Sequence, residues 1–156
     1  MDIAKEISEL DEEQIKIHTT YLGGGFGRRG ETDFVKQSLI IAKELGKPVK
    51  VTWMREEDMQ HGFYRPASMS RFQIGLNKEG LPVSWNNQLA SPSILKRFFA
   101  PMAWFNIDRL STEGADDFPY AIEDFNLDFT EVDSGVPVGF WHSVGSSFNA
   151  FLLKVQ

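Results

Sequence analysis

The chain has 156 residues, 42% of them hydrophobic, enough for one ordinary globular core and hardly for two, so a single domain is the starting expectation. Twenty-two acidic against sixteen basic residues leave a formal charge of -6, the wrong sign for a surface that neutralises a phosphate backbone, and nucleic acid is not an expected partner. With no cysteine the chain supplies no disulfide, no thiolate zinc site and no protein-ligated iron–sulfur cluster, and no stretch reaches the roughly 18 to 20 apolar residues of a membrane-spanning helix.

In chain order, a short polar helix is predicted at about Ile3 to Leu10. Ile15, Ile17 and Tyr21 alternate with Lys16 and His18, which predicts a strand over Ile15 to Leu22. That segment runs into Gly23-Gly24-Gly25-Phe26-Gly27-Arg28-Arg29-Gly30. Beyond it, Phe34, Val35, Ser38, Ile41, Ala42 and Leu45 share one helical face, so Glu31 to Leu45 reads as a helix stopped by Gly46 and Pro48. Val49 to Met54 completes a β-α-β unit with the glycines at the strand-to-helix junction and parallel pairing as the default.

The α/β rhythm then ends. Arg71 to Leu76 and Leu81 to Leu89 alternate as strands around Asn77-Lys78-Glu79-Gly80, an antiparallel hairpin. Ser91 to about Tyr120, rich in Pro, Phe, Trp and acidic residues, has no sustained period and is expected to be irregular but ordered. Asn126 to Val132 reads as a further strand, Gly135 to Gly145 as a loop and Ser146 to Gln156 as an apolar helix. The expected class is α+β.

Glycines between strand and helix let the backbone take positive φ and approach a ligand, and the free N–H groups together with the helix dipole favour an anion there. Arg28 and Arg29 add charge-assisted donors. A tight, mobile turn with no ligand is the plainer reading of the same glycines. Gly25, Gly27 and Gly30 also satisfy G-x-G-x-x-G, with Glu56 and Glu57 placed as ribose-binding acids would be, so a Rossmann-type NAD(P)-binding protein is a rival. The antiparallel turn after Met54 and the paired arginines inside the fingerprint argue against that rival. A non-catalytic interaction module is the third alternative.

Three motifs in order, HTTYLGGGFGRR at 18 to 29, REEDMQHGFYRPAS at 55 to 68 and GVPVGFWHSVGSSFNAF at 135 to 151, resemble the large subunits of the xanthine dehydrogenase and aldehyde oxidase family, of the isoquinoline 1-oxidoreductase type. The resemblance spans about residues 5 to 156. It implies a subunit that binds molybdopterin cytosine dinucleotide, works with a small partner carrying two [2Fe-2S] clusters, and hydroxylates N-heterocycles or oxidises aldehydes with oxygen from water. It implies that Gly24, Gly25, Phe26 and Gly27 bring backbone amides against the cofactor, beside the charge-assisted donor Arg28, and that His142 stands where relatives carry an arginine beside the substrate, while Gly145, Ser146 and Ser147, at a predicted helix start, offer further N–H and hydroxyl donors to a phosphate or pterin edge. Imidazole has shorter reach than guanidinium and no bidentate fork. Ordinary helix capping at Gly145 and Ser146, and a loop histidine without catalytic duty at 142, are the bland alternatives. Arg65, before Pro66, resembles a family arginine for which substrate-side and structural roles are both open, and a structural ion pair is the expectation.

The family's molybdenum is held by the cofactor's dithiolene, so no protein metal ligands are expected from His18, His61 or His142. No segment matches the family's catalytic glutamate motif, so residues 1–156 are expected to be a fragment of a longer subunit, inactive alone because the general base is elsewhere. The compartment is undetermined, the resemblance being compatible with the periplasm.

Overall fold

A computed structural model describes residues 1–98, 108–117 and 119–154, and divides the chain into two compact units, Met1–Gly62 and Phe63–Gln156. Helices accompany one three-stranded mixed sheet, so the α+β expectation holds. Among the described residues no helix is long and apolar enough to cross a membrane.

In the first unit, α1 (Asp2–Ser8) ends where Glu9 turns left-handed at φ 60° and donates its N–H to the Lys5 carbonyl. The long helix α2 (Asp33–Leu45) begins two residues later than the pattern suggested and stops at Gly46, φ 61°, where the sequence placed its end. Lys43 ties the two helices, its ammonium donating to the Ile7 carbonyl at 2.8 Å and to Glu9 Oε1 at 2.7 Å. The hydrogen bond and charge of Lys43 hold the Glu9 carboxyl below its ordinary pKa. A short helix, α3 (Arg55–His61), closes the unit with Glu56, Glu57 and Asp58 in its first turn, where carboxylates suit the dipole.

The β-α-β unit expected over Ile15 to Met54 does not form. Neither Ile15 to Leu22 nor Val49 to Met54 joins a ladder among the described residues. Alternation specifies which side chains point together, but a parallel pair also needs neighbours covering both faces, and two strands alone are marginal. In Ile15 to Leu22 neither face is covered: Ile17 is 59% exposed and Tyr21 fully so on one face, and Leu22 is 63% exposed on the other. Residues 49–54 instead lie along α2, anchored by Trp53 Nε1 donating to Gln37 Oε1 at 2.9 Å.

In the second unit, β1 (Met69–Leu76) and β2 (Pro82–Ser91) form the expected antiparallel hairpin. Its turn is built by Asn77, whose side-chain oxygen accepts from Glu79 N at 3.1 Å and Leu81 N at 2.8 Å, and by Gly80 at φ 80°. β3 (Asp124–Glu131) pairs with β2 in parallel, giving the order β1-β2-β3. A parallel partner requires a crossover, and residues 92–123 provide it with α4 (Ile94–Phe98) and α5 (Arg109–Thr112). These two short helices interrupt a stretch that is otherwise irregular where it is described; residues 99–107 and 118 lie outside the described residues. The last helix, α6 (Val144–Lys154), starts two residues before its predicted beginning, and residues 155–156 are also outside the description.

Trp85, Asn87, Leu89 and Ser91 alternate along the buried face of β2, and their register partners on β3 include Phe125, Leu127 and Phe129. Ile94, Ala115, Val138 and Phe148 complete the buried apolar set of this unit. One carboxylate organises both crossover helices. Asp108, 5% exposed, accepts from Ser93 Oγ at 2.6 Å, Leu95 N at 3.2 Å, Ser111 N at 3.0 Å and Ser111 Oγ at 2.8 Å, capping α5 and holding the start of α4. Buried Asn149 of α6 donates from Nδ2 to the Ser111 and Glu113 carbonyls at 2.8 and 2.9 Å, satisfying the open end of α5.

Candidate functional site

The glycine segment borders a cavity of about 630 Å³ that lies wholly within the first unit. Gly24, Gly25 and Phe26 form one side, Phe34 and Ser38 of α2 a second, and residues 51–54 a third, with Arg28, Arg29, Arg55 and Asp58 at the margin. The chain turns here through two consecutive positive φ values, 48° at Phe26 and 86° at Gly27. A non-glycine residue is uncommon in that region, so Phe26 is held there by its surroundings. Its ring lies over Gly24: a Cβ at position 24 would come within 2.6 Å of Phe26 Cε2. A side chain at position 24 would therefore displace the exposed Phe26 ring from its place over the loop. At Gly25 an added Cβ would sit 3.3 Å from Leu22 Cδ2 and 3.5 Å from Arg29 Cβ, a tight but tolerable fit.

The charge at the cavity differs from the expected free anion cradle. Between the glycines and α2 stands a 3-10 turn at Arg28–Gly30, and α2 begins with its own acid, Asp33. Arg28 grips that acid with a two-pronged bond, Nη1 to Oδ1 at 2.9 Å and Nη2 to Oδ2 at 2.8 Å. The hydrogen bond from Arg28 to Asp33 raises the Arg28 pKa. For Asp33, partial burial pushes the pKa up, but the hydrogen bond and charge of Arg28 outweigh it and leave the carboxyl below its ordinary value. The Arg28 guanidinium also lies 5.7 Å from the Trp53 ring and 6.0 Å from the Phe34 ring, and that of Arg29 lies 5.7 Å from Phe34. Arg55 pairs with Asp58 at 2.9 Å. The site therefore combines close backbone, flat aromatic walls and cations balanced by two carboxylates.

In the second unit the structure joins two of the sequence motifs. Tyr64 forms a parallel bridge with Val138, its N–H donating to the Pro137 carbonyl at 2.9 Å and its carbonyl accepting from Gly139 N at 3.0 Å. Trp141 Nε1 donates to the Phe63 carbonyl at 2.8 Å. Arg65 does not make the ion pair expected of it among the described residues; its guanidinium donates to the carbonyls of His142 at 3.0 Å and Val144 at 3.2 Å and to Ser147 Oγ, and lies 5.5 Å from the Trp141 ring. His142 stands on this loop with its side chain exposed.

Gly145 and Ser146 sit at the start of α6 against α5. A Cβ on Gly145 would overlap the Leu110 carbonyl, and one on Gly114 would come within 2.8 Å of Ser146 Cα. Close helix packing alone accounts for glycine at 145. The adjacent hydroxyl of Ser147 is engaged by Arg65 and by the Val144 carbonyl at 3.4 Å.

Residues 1–91, more than half of the chain, match the sequence profile of the molybdopterin cofactor-binding domain. The chain belongs to that family. The matched stretch contains the entire glycine-bordered cavity. Among curated relatives, this chain is 33% identical over 97 residues to the isoquinoline 1-oxidoreductase subunit beta of Brevundimonas diminuta, covering 62% of this chain and 12% of the relative. It is 31% identical over 90 residues to a membrane-bound aldehyde dehydrogenase (pyrroloquinoline-quinone) of Gluconacetobacter polyoxogenes, covering 57% of this chain and 12% of that protein. A probable xanthine dehydrogenase subunit of Bacillus subtilis strain 168 is 28% identical over 74 residues, 47% of this chain and 10% of the relative. The chain thus spans about an eighth of the length of the first two relatives. No solved structure gives a significant match.

The residues at the cavity fit a pterin-type cofactor. A close glycine backbone suits a planar ring edge, Phe34 and Trp53 add apolar walls, and Arg29 at the margin suits phosphate, Arg28 and Arg55 being paired with Asp33 and Asp58. The Rossmann-type reading needs a parallel β-α-β unit over residues 15–54, which is not formed among the described residues. Sequence reasoning missed the aromatic walls, because Phe34 reads as part of an apolar helix face and Trp53 lies within the expected Val49 to Met54 strand; their spacing from the paired arginines was the available signal. It also missed that Arg65 binds carbonyls, which no side-chain pattern reports.

Proposed function

We propose that this molybdopterin-binding chain is the glycine-loop portion of a molybdenum hydroxylase large subunit and that the cavity of its first unit receives part of the cofactor in its cytosine dinucleotide form. The observation that carries this reading is the cavity bordered by Gly24, Gly25 and Phe26 and walled by Phe34 and residues 51–54. When bound, the cofactor's molybdenum centre supplies the two-electron oxidation of a heterocycle carbon or an aldehyde, with water as the oxygen source.

The chain's own contribution is binding and orientation. Gly24, Gly25 and Gly27 allow the loop backbone to reach a planar ligand edge, and Phe26 covers the approach with an exposed ring. Arg28 reaches an anion only at the expense of its bond to Asp33, so Arg29, whose guanidinium lies against the Phe34 ring at the cavity margin, is the better placed phosphate donor. Gly145 and Ser146 then serve the packing of α6 rather than the cofactor. His142, exposed on the second unit's loop, offers one hydrogen bond from its imidazole where a guanidinium would offer two. The chain covers 12% of the length of its isoquinoline 1-oxidoreductase relative, and the small subunit with two [2Fe-2S] clusters and the general base belong to the remainder of the enzyme. The exposed apolar side chains of Ile17, Leu22 and Ile41 support a reading in which further subunit structure covers them.

The test is nucleotide release from the purified natural gene product after acid hydrolysis. Stoichiometric cytidine monophosphate together with molybdenum is the expected result. Molybdenum without any nucleotide would replace the dinucleotide by molybdopterin alone, and absence of both would overturn the assignment.

A further inference from the structure

The turn that carries His142 is conformationally costly. Ser143 has φ 64° and Val144 φ 38°. For a β-branched residue the left-handed region is a genuine outlier, and such residues persist where the surroundings hold them. Arg65 supplies the hold. One planar guanidinium spans the two left-handed residues, bonding the His142 carbonyl on one side with Nη2 and the Val144 carbonyl and Ser147 hydroxyl on the other with Nη1. The same group lies against the Trp141 ring, and Trp141 is itself fixed to the Phe63 carbonyl, two residues before Arg65. The rigid fork of an arginine can bridge these acceptors from one position, whereas an ammonium is a point donor on a flexible stem. An arginine spent on carbonyls, with the loop it grips displaying an exposed imidazole, is more than a local packing need: Ser147 and Val144 are already linked without it.

We propose that Arg65 is a positioning residue that holds the 141–144 turn in its left-handed conformation and so fixes the direction in which His142 presents its imidazole. The consequence for substrate rests on the reading of this loop as substrate-side. Arg65 acts through His142 and not on the substrate itself.

The experiment compares Arg65→Ala and Arg65→Lys with the unaltered full chain by NMR at fixed pH. The chain has three histidines and four tryptophans, so the imidazole and indole signals are few enough to assign. His18 and His61 of the first unit and buried Trp85 in β2 are internal controls. Expected in both variants are shifted or broadened His142 imidazole and Trp141 indole signals, with His18, His61 and Trp85 unchanged. Millimolar guanidinium should return the Arg65→Ala signals towards those of the unaltered chain, and ammonium should not. Unmoved His142 and Trp141 signals would overturn the proposal. If Arg65→Ala loses the Trp85 signal and hence its fold, Arg65→Lys decides by the same criteria. A second arm measures the same variants in the molybdenum-loaded full-length enzyme, where KM should rise several-fold with a smaller change in kcat. Shifted His142 signals with KM unchanged would uphold the positioning role and overturn only the substrate-side reading of the loop.

Discussion

The guanidinium of Arg65 donates to the backbone carbonyl of His142 at 3.0 Å, joining residues 77 positions apart in the sequence. The Tyr64–Val138 bridge and the Trp141–Phe63 bond run beside it, so the FYRPAS and GVPVGFWHS motifs form one structural element. Two segments that each resemble a known family in isolation are here parts of the same loop pair.

The crossover between β2 and β3 depends on one buried carboxylate. Replacing Asp108 by alanine strips a side-chain cap from α5 and leaves the Ser93 and Ser111 hydroxyls and the Leu95 N–H without their acceptor. The expected loss is about 2–3 kcal/mol, measured by chemical denaturation, with Asp108→Asn retaining part of the stability. Equal stability of Asp108→Ala and the unaltered chain would show that the cap is not holding the crossover.

Acid should weaken the first unit through Asp33. Its folded pKa lies below the ordinary carboxylate value, so the stabilisation from its bond to Arg28 is fully present above the unfolded-state pKa and is lost as pH falls through the depressed folded one. Between those two points stability declines with falling pH. Asp33→Asn should cost roughly 1 kcal/mol near neutrality and flatten that part of the acid limb, read from denaturation midpoints across pH. An unchanged acid limb in Asp33→Asn would remove the pair from the account.

Glycine at 145 is explained by packing, and its replacement tests this. Gly145→Ala drives a methyl into the Leu110 carbonyl and should cost about 1–3 kcal/mol, whereas Gly30→Ala, with open space around it, should stay within roughly 0.5 kcal/mol of the unaltered chain. Thermal unfolding of the two variants separates them. A neutral Gly145→Ala would return position 145 to the set of ligand-binding candidates.

The hairpin was legible because its turn is encoded locally: Asn77 supplies the acceptor for two backbone N–H groups, and Gly80 supplies the positive φ. The end of α2 at Gly46 was legible for the same kind of reason. Strand pairing over Ile15 to Leu22 was not, since alternation encodes a face and says nothing about whether a partner strand is present to receive it. The parallel union of β2 and β3 was equally hidden, because it depends on a crossover whose helices are capped by Asp108 rather than marked by a sustained apolar period. At the candidate site, the glycine segment does border a cavity, with Gly24, Gly25, Phe26 and Arg28 on it, while Gly27 shapes the turn. The pairing of Arg28 with Asp33 rather than with open solvent depended on where α2 begins, a boundary that periodicity locates only to within a few residues.

The measurement closest to the central claim is molybdenum per chain in the natural gene product carrying Gly25→Val. The added side chain enters a space bounded by Leu22 and Arg29, which are able to yield, so the fold should survive while the loop loses its close approach to a ligand. Circular dichroism like that of the unaltered protein, with molybdenum reduced by about tenfold or more, is the predicted result. Full molybdenum content in a folded Gly25→Val protein would contradict the assignment of this cavity to the cofactor.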